Sequence, residues 1–485
     1  MLPQQDSQSS SLQPDYLTID VPSPGSSVFD IPIHVGQSVS RRRINEKRIN
    51  QVFDDGLTSF IVVSGGTGCN SLCSAFGTNT CYVLPVSDDG GSSSEIIRVI
   101  GGPSVGDIRS RLIRLIPPTP PDSPLTAIRD LLSHRLSGDT SEEQARDEWR
   151  NIVEGKSPLW HGIPADRKEA IRGTFLVHFE TEILRRAHKN FSFRNGSIGN
   201  YLLAAAQDFF RSLPSAIFLF SSITTSQAHI LPVLVTTRTV TIAVELEDNS
   251  TIIGQCNISH PVTPPSAILS PPDADALDGD RLVQFQNAAF QKQSEAEENY
   301  VPLSSRISRL FYINPYGHQV QPSPNPEFLS NLSSRDILIY SCGSLWTSIM
   351  PCLAIRGVGE SIAKSPSLRA KVLLLNSVND RETDGYTAID YISAIVETLR
   401  TRYSPRPNPL IPALSGDYPA TAFITHLLYL EGSDVEVDVQ AIQSMGIICI
   451  SVKDQACPAG QIPKFGAETI RQALEDILEE IALDV

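Results

Sequence analysis

Cysteine is too sparse here to build a disulfide scaffold: the 485 residues hold 8, and no two stand in the Cys-x-x-Cys spacing of a zinc knuckle or redox motif. They read as free thiols of a reducing compartment. Cys69 and Cys73, one helical turn apart, read as small apolar packers, since a metal clip would lack two further ligands. Long apolar runs are missing as well, which excludes a membrane-spanning helix of about 20 residues. The first thirty residues are rich in Gln, Ser, Pro and Asp and lack the basic start and apolar core of a secretory signal. A cytoplasmic location is therefore expected, and Asn-x-Ser/Thr triplets such as those at Asn190 and Asn249 carry no glycosylation meaning. Positive charge is in short supply: 39 Lys and Arg against 54 Asp and Glu leave a formal net charge of -15. Such a field repels nucleic acid and anionic membrane, so neither is an expected partner. The one dense basic run, Arg41, Arg42, Arg43, Lys47 and Arg48, reads as a solvated helical face, with a phosphate or partner-docking patch as the alternative.

What remains is ordinary globular composition, 41% hydrophobic and 19% charged. Residues 1–55 are expected to be a flexible tail with a short basic helix. The stretches Ser59 to Ser64 and Thr80 to Val86 are short apolar runs ending in small or polar residues, the pattern of strands buried on both faces of a parallel sheet, with room for a short helix over Leu72 to Phe76 between them. Clustered prolines from Pro117 open a charged, helix-patterned insertion to about residue 195. Further strands are expected at Ala216 to Phe220, His229 to Val235 and Thr239 to Leu246, the last two as a hairpin turning at Thr236 to Arg238. Residues 261–305, rich in Pro, Asp, Gln and Glu, are expected to form a surface loop. Strand candidates follow at Asp336 to Ser341, Lys371 to Leu375, Thr421 to His426 and Gly446 to Ser451, with a proline-rich loop near Pro405 to Pro412 and a closing amphipathic helix over Ala467 to Leu483. This alternation predicts an α/β chain with a Rossmann-like, doubly wound, mostly parallel sheet carrying helical and loop insertions, in which residues 56–260 and 306–485 are two halves of one domain.

Six segments carry polar chemistry. Gly65, Gly66, Thr67 and Gly68 follow the first strand, where glycines let backbone N–H groups approach an anion; a bland tight turn is the alternative. Asp88, Asp89, Gly90, Gly91 and Ser92 follow the second strand, so the two loops should share one sheet edge. The adjacent acids suit Mg²⁺ held with phosphate oxygens, or a sugar hydroxyl, or simply a helix cap. Next come Asp107 and Arg109, the arginine suited to bidentate phosphate recognition and the aspartate to capping or to orienting it, whereas Arg111 and Arg114 read as solvated helix face. Asn200, ahead of an apolar helix, reads equally as cap or as reader of base or sugar. Gly343, Ser344, Thr347 and Ser348 make a second small polar turn opening a helix, a second anion-binding geometry. Asn376, followed by Asn379, Asp380, Glu382 and Asp384, closes a further strand. No serine nucleophile elbow, metalloprotease helix or kinase signature is present.

In this order the segments SGGTG, DDGGSS, GDIR, GN with LLAA, GSLWTS and ETDGYTAID resemble the CofD/YvcK family of 2-phospho-L-lactate transferase-like and gluconeogenesis factor-like proteins, as do HILP from His229, VELED from Val244 and GQCNISH from Gly254. The match runs from residue 59 to 451 with interruptions. The resemblance implies a Rossmann-like fold binding a nucleoside diphosphate or nucleotide sugar. Gly65 to Gly68 would line the phosphates, Asp88 and Asp89 the metal or acceptor, and Asn200 with Gly343 to Ser348 the rest of the cleft. One branch implies Mg²⁺-dependent transfer that forms a phosphodiester from a nucleoside diphosphate-linked donor. The other implies a non-catalytic UDP-sugar-binding regulator of carbon metabolism. Self-association is left open by either. The chain departs from the family pattern at Ser341 and Cys342, where Gly-Pro is usual, and at Ser94 and Ser110.

Overall fold

The computed structural model describes residues 58–186, 191–260, 301–401, 418–454, 458 and 461–483. The expected tail and basic helix, most of the 261–305 loop and the proline-rich loop near residue 405 lie outside these residues. The strands are β1 (Phe60–Val63), β2 (Thr80–Leu84), β3 (His229–Pro232), β4 (Thr241–Leu246), β5 (Thr251–Ile253), β6 (Ile307–Ile313), β7 (Gln319–Val320), β8 (Ile337–Tyr340), β9 (Ala370–Leu374), β10 (His426–Leu430) and β11 (Ile448–Val452). Seven of them form one parallel sheet in the order β11-β10-β9-β8-β1-β2-β3. The chain thus builds outward from β1 in one direction through β3 and then in the other from β8, which makes the β1/β8 boundary a topological switch point. β1 and β8 are buried along their whole length because helices cover both faces, which is why their sequences are continuous apolar runs.

A second, antiparallel sheet has the order β5-β4-β6-β7. Its existence corrects the expected hairpin. β3 pairs in parallel with β2, through Cys81 opposite His229, whereas β4 pairs with β5 and β6, so Thr236 to Arg238 link two sheets. Two further expectations fail. Ala216 to Phe220 lies inside the helix Leu213–Ile223, which Ser212 caps and Pro214 opens; Leu213, Ala216, Ile217, Phe220 and Ile223 are buried at helical spacing. The strand expected at Thr421 to His426 starts only at His426, because Ala420–Ala422 form a 3₁₀ turn and Phe423 and Ile424 are buried as packing residues ahead of it. The insertion after Pro117 is helical as expected, with helices Pro124–Ser133, Glu142–Val153 and Val177–Arg186 packed around Trp149, Phe179, Phe193 and Tyr201. Among the described residues no helix is long and apolar enough to cross a membrane.

Candidate functional site at the switch point

At the carboxyl end of β1 the chain turns through Gly65 and Gly66, both buried, to Thr67 and Gly68, both exposed. A Cβ on Gly66 would stand 2.6 Å from Asp107 Cα, and one on Gly65 2.8 Å from Ser348 Cβ. The loop is therefore flush with the helix Gly106–Arg114 on one side and the turn after β8 on the other, and no larger residue fits without backbone movement. The segment that follows, Asn70–Phe76, is 3₁₀ and has no side-chain cap, so what the loop offers an anion is mainly its own N–H groups.

Beneath this loop lies a buried cation. Arg111, expected on a solvated face, is fully buried. Its Nη2 donates to Ser64 Oγ (3.1 Å) and to the Gly65 carbonyl (3.0 Å), its Nη1 contacts Cys73 Sγ (3.2 Å) and Cys69 Sγ (3.4 Å), and the guanidinium lies 4.7 Å above the Tyr82 ring. The thiols are thus acceptors for a buried cation as well as packers. The hydrogen bond from Cys73 and the Arg111 charge outweigh burial and hold Cys69 below the usual thiol range, while the same contact and burial push Cys73 up. A signal was present in the sequence: Ile108, Arg111 and Leu112 share one helical face, and all three are buried. Arg114 is exposed as expected, donating to the Asn70 carbonyl.

The acids after β2 point apart. Asp88 Oδ1 accepts from Gly90 N (3.0 Å) and Oδ2 from Ser93 Oγ (3.3 Å), so it braces the turn into the helix Gly91–Val99, whose own cap position is Gly90. Asp89 turns to the second sheet's helix Gln255–Ser259 and accepts from Cys256 N at 2.8 Å. Asp107 sits in the first turn of its helix, after the cap position Val105. Burial pushes Asp88 up to about 6, and burial together with the Asp88 charge pushes Asp107 up to about 7. Neither carboxylate has a basic side chain within ion-pair distance among the described residues. Two neighbouring carboxylates in that condition either keep a proton or attract a cation. Asp107 thus joins Asp88 and Asp89 among the carboxylates that could hold Mg²⁺, with Asp89 turned towards the helix start at Cys256.

Arg109 and Asn200 come together. Asn200 is the third residue of the helix Ile198–Phe210, which Ser197 caps; it is buried, accepts from Arg109 Nε at 3.2 Å and donates to Ser92 Oγ at 2.8 Å. The cap reading gives way, since Ser197 holds that position, and Asn200 instead holds Arg109. Gly91 is exposed with φ +52°, and nothing crowds it.

The turn after β8 is different from expectation. Asn376, at the end of β9, accepts from Gly343 N (3.1 Å) and donates to the Gly343 carbonyl (2.8 Å), fixing that glycine at φ +137°. The N–H groups of Trp346 and Thr347, however, both donate at 3.0 Å to Glu382, which also accepts from Thr347 Oγ and Ser259 Oγ at 2.6 Å. The second anion position is thus filled by the protein's own carboxylate, and Thr347 faces inward. Burial, with Asp380 alongside, pushes Glu382 up to about 7. Ser344 and Ser348 stay part-exposed at the edge. Elsewhere, His178, Glu182 and Asp208 lie close enough to share a metal, but Arg185, Arg186 and Arg211 already pair with the two acids.

Residues 60–453 match the family model described as 2-phospho-L-lactate transferase CofD. An uncharacterized protein of Saccharomyces cerevisiae is 34% identical over 80% of this chain and 94% of its own length. The gluconeogenesis factor of Bacillus subtilis is 22% identical over 86% of this chain and 98% of its own. The crystal structure of a UPF0052 family protein from Bacillus halodurans superposes with a TM-score of 0.53 at 20% identity, covering 86% of this chain and 99% of that one, which supports the fold.

Proposed function

The chain belongs to the 2-phospho-L-lactate transferase CofD family, and from that premise we propose that it binds a nucleoside diphosphate-linked ligand at the switch point and acts as a Mg²⁺-dependent, phosphodiester-forming transferase. The observation that carries this reading is the placing of Asp88 and Asp107, two acids without a basic partner, beside the Gly65 to Gly68 loop at the edge where doubly wound sheets bind ligands. The loop's N–H groups bind the diphosphate, with the buried Arg111 charge beneath them. Asp88 and Asp107 would hold Mg²⁺, which when bound neutralises phosphate charge. Gly343, pinned by Asn376, with Ser344 and Ser348 borders the other side. Transfer between phosphate-linked groups needs mainly such positioning and charge neutralisation.

A second reading, a UDP-sugar-binding regulator without turnover, is favoured by relatives named gluconeogenesis factor, two of which align over 98% of their own length. Thermal unfolding of wild type and Asp88→Ala against GDP, UDP, UDP-glucose and UDP-N-acetylglucosamine, with and without Mg²⁺, separates the two. A ligand at about 100 times its dissociation constant adds roughly 2.7 kcal/mol of stability. A Mg²⁺-dependent shift that Asp88→Ala loses supports the transferase. A metal-independent shift confined to UDP-sugars supports the regulator, and no shift with any ligand sinks both.

A further inference from the structure

We propose that the chain pairs with a second copy of itself through β11, the open edge of the parallel sheet, so that the two sheets join antiparallel across a two-fold axis. The proposal is independent of the nucleotide reading. β11 ends the strand order and is paired on one side alone, parallel to β10, with Ile448 opposite His426 and Val452 opposite Leu430. Ile448 N donates to the Thr425 carbonyl and the Val452 carbonyl accepts from Glu431 N, both at 2.9 Å. Successive residues of a strand send their N–H and C=O groups to opposite sides, so Ile448, Ile450 and Val452 serve β10 while Cys449 and Ser451 face outward. Neither of those two makes a backbone hydrogen bond to the described residues. The opposite edge is closed. Beside β3, Asn325 N donates to the Val233 carbonyl and Asn325 Nδ2 to the Pro232 carbonyl, each at 2.9 Å, and Leu234 bridges Pro324. Folded proteins ordinarily blunt an apolar edge with charge, proline or a covering segment.

Charge and pattern favour a second copy as the occupant. The chain carries a net charge of -15, yet residues 439–452 contain no charged side chain, so two copies meet at this edge without opposing acids. The strand is also self-complementary. A pairing centred on Ile450 sets Ile448, which is 40% exposed, opposite Val452 of the other copy and Ile450 opposite itself on one face. On the other face Cys449 stands opposite Ser451. Branched side chains thus meet branched ones and small meet small, and the outward N–H and C=O groups of Cys449 and Ser451 exchange hydrogen bonds across the axis. A slip of one residue would set outward groups against inward ones, so the pattern fixes the register. A five-residue strand is about 17 Å long. It covers less than the roughly 800 Å² per partner of a stable complex, so the pairing is reversible and depends on concentration.

The test is the molar mass of the full chain by light scattering at rising concentration, which should climb from the monomer value towards twice that value. Ser451→Pro removes an outward donor and spares the bonds to β10, a change that an edge strand tolerates. It should stay monomeric throughout, with the circular dichroism of wild type. Ile450→Cys puts a thiol on the axis, where the two copies form a non-hydrogen-bonded pair with Cα atoms about 4.5 Å apart, within the span of a disulfide. Oxidised glutathione should link this variant into a covalent dimer, and mass spectrometry should find the peptides joined at position 450. A wild-type chain that is monomeric at every concentration overturns the proposal. Slow amide exchange at Cys449 and Ser451 in that monomer would show that another segment of the same chain covers the edge. A dimer that survives Ser451→Pro, or that Ile450→Cys leaves unlinked at that position, also overturns it. Should Ser451→Pro fail to fold, the link at position 450 decides alone.

Discussion

Arg111 donates through Nη2 to the Gly65 carbonyl at 3.0 Å, so the glycine loop rests on a buried positive charge to which no carboxylate among the described residues is bonded. Removing the side chain would leave that carbonyl and Ser64 Oγ without their donor and open a cavity against Tyr82. We expect Arg111→Ala to lower the unfolding free energy by about 3 kcal/mol, from the sum of cavity and unsatisfied-acceptor costs. Urea unfolding measures it. A loss below about 0.5 kcal/mol, the size of a surface change, would mean that relief of the buried charge cancels the contacts.

Gly66 has no room for a methyl group, since the obstacle is backbone, at Asp107 Cα, and cannot swing aside. Gly66→Ala should therefore move the loop off the Gly106–Arg114 helix and weaken nucleotide binding by at least about tenfold, with helix content retained. Calorimetry with circular dichroism as a fold control reads both. Unchanged affinity would place the phosphates elsewhere.

How far this site could be read from sequence depended on whether each cue was local. β1, β2 and β8 are buried on both faces, so their apolar runs and the small polar residues after them announced strand and loop together. The run Ala216 to Phe220 looks the same over five residues and is helical only because Ser212 and Pro214 start a helix before it. β6 escaped notice because its outward residues Ser308 and Arg309 break the apolar pattern and its partner β4 lies some sixty residues earlier. Side-chain destinations were least legible. That Asp89 serves a helix 167 residues away, and that Glu382 fills the turn after β8, are long-range pairings with no local signature.

The raised acids give a pH signature. Asp107 is pushed from the ordinary 3.8 to about 7 in the folded chain, so the folded state holds a proton that the unfolded state has released. Its contribution to stability is complete below pH 3.8 and disappears as pH rises through about 7. Asp107→Asn lacks this dependence, and without divalent ions it should become increasingly stable relative to wild type across that window. Mg²⁺ should narrow the gap at pH 8 by stabilising the ionised wild type. Parallel melting curves for the two proteins at every pH would remove the case for a strained acid pair.

Glu382 tests whether the turn after β8 is an anion site that the protein has already filled. Its carboxylate takes two backbone N–H groups, from Trp346 and Thr347, and two hydroxyls, from Thr347 and Ser259. Glu382→Ala would orphan two buried backbone donors at about 1–3 kcal/mol each, so a loss of about 3 kcal/mol is expected. Glu382→Gln, which keeps the shape but not the charge, should lose less. If the position is truly an anion seat, acetate should enter the alanine variant and raise its melting temperature more than that of wild type. A variant that acetate does not stabilise would show that the donors turn to other acceptors, and the turn would then be a packing element with no intrinsic preference for negative charge.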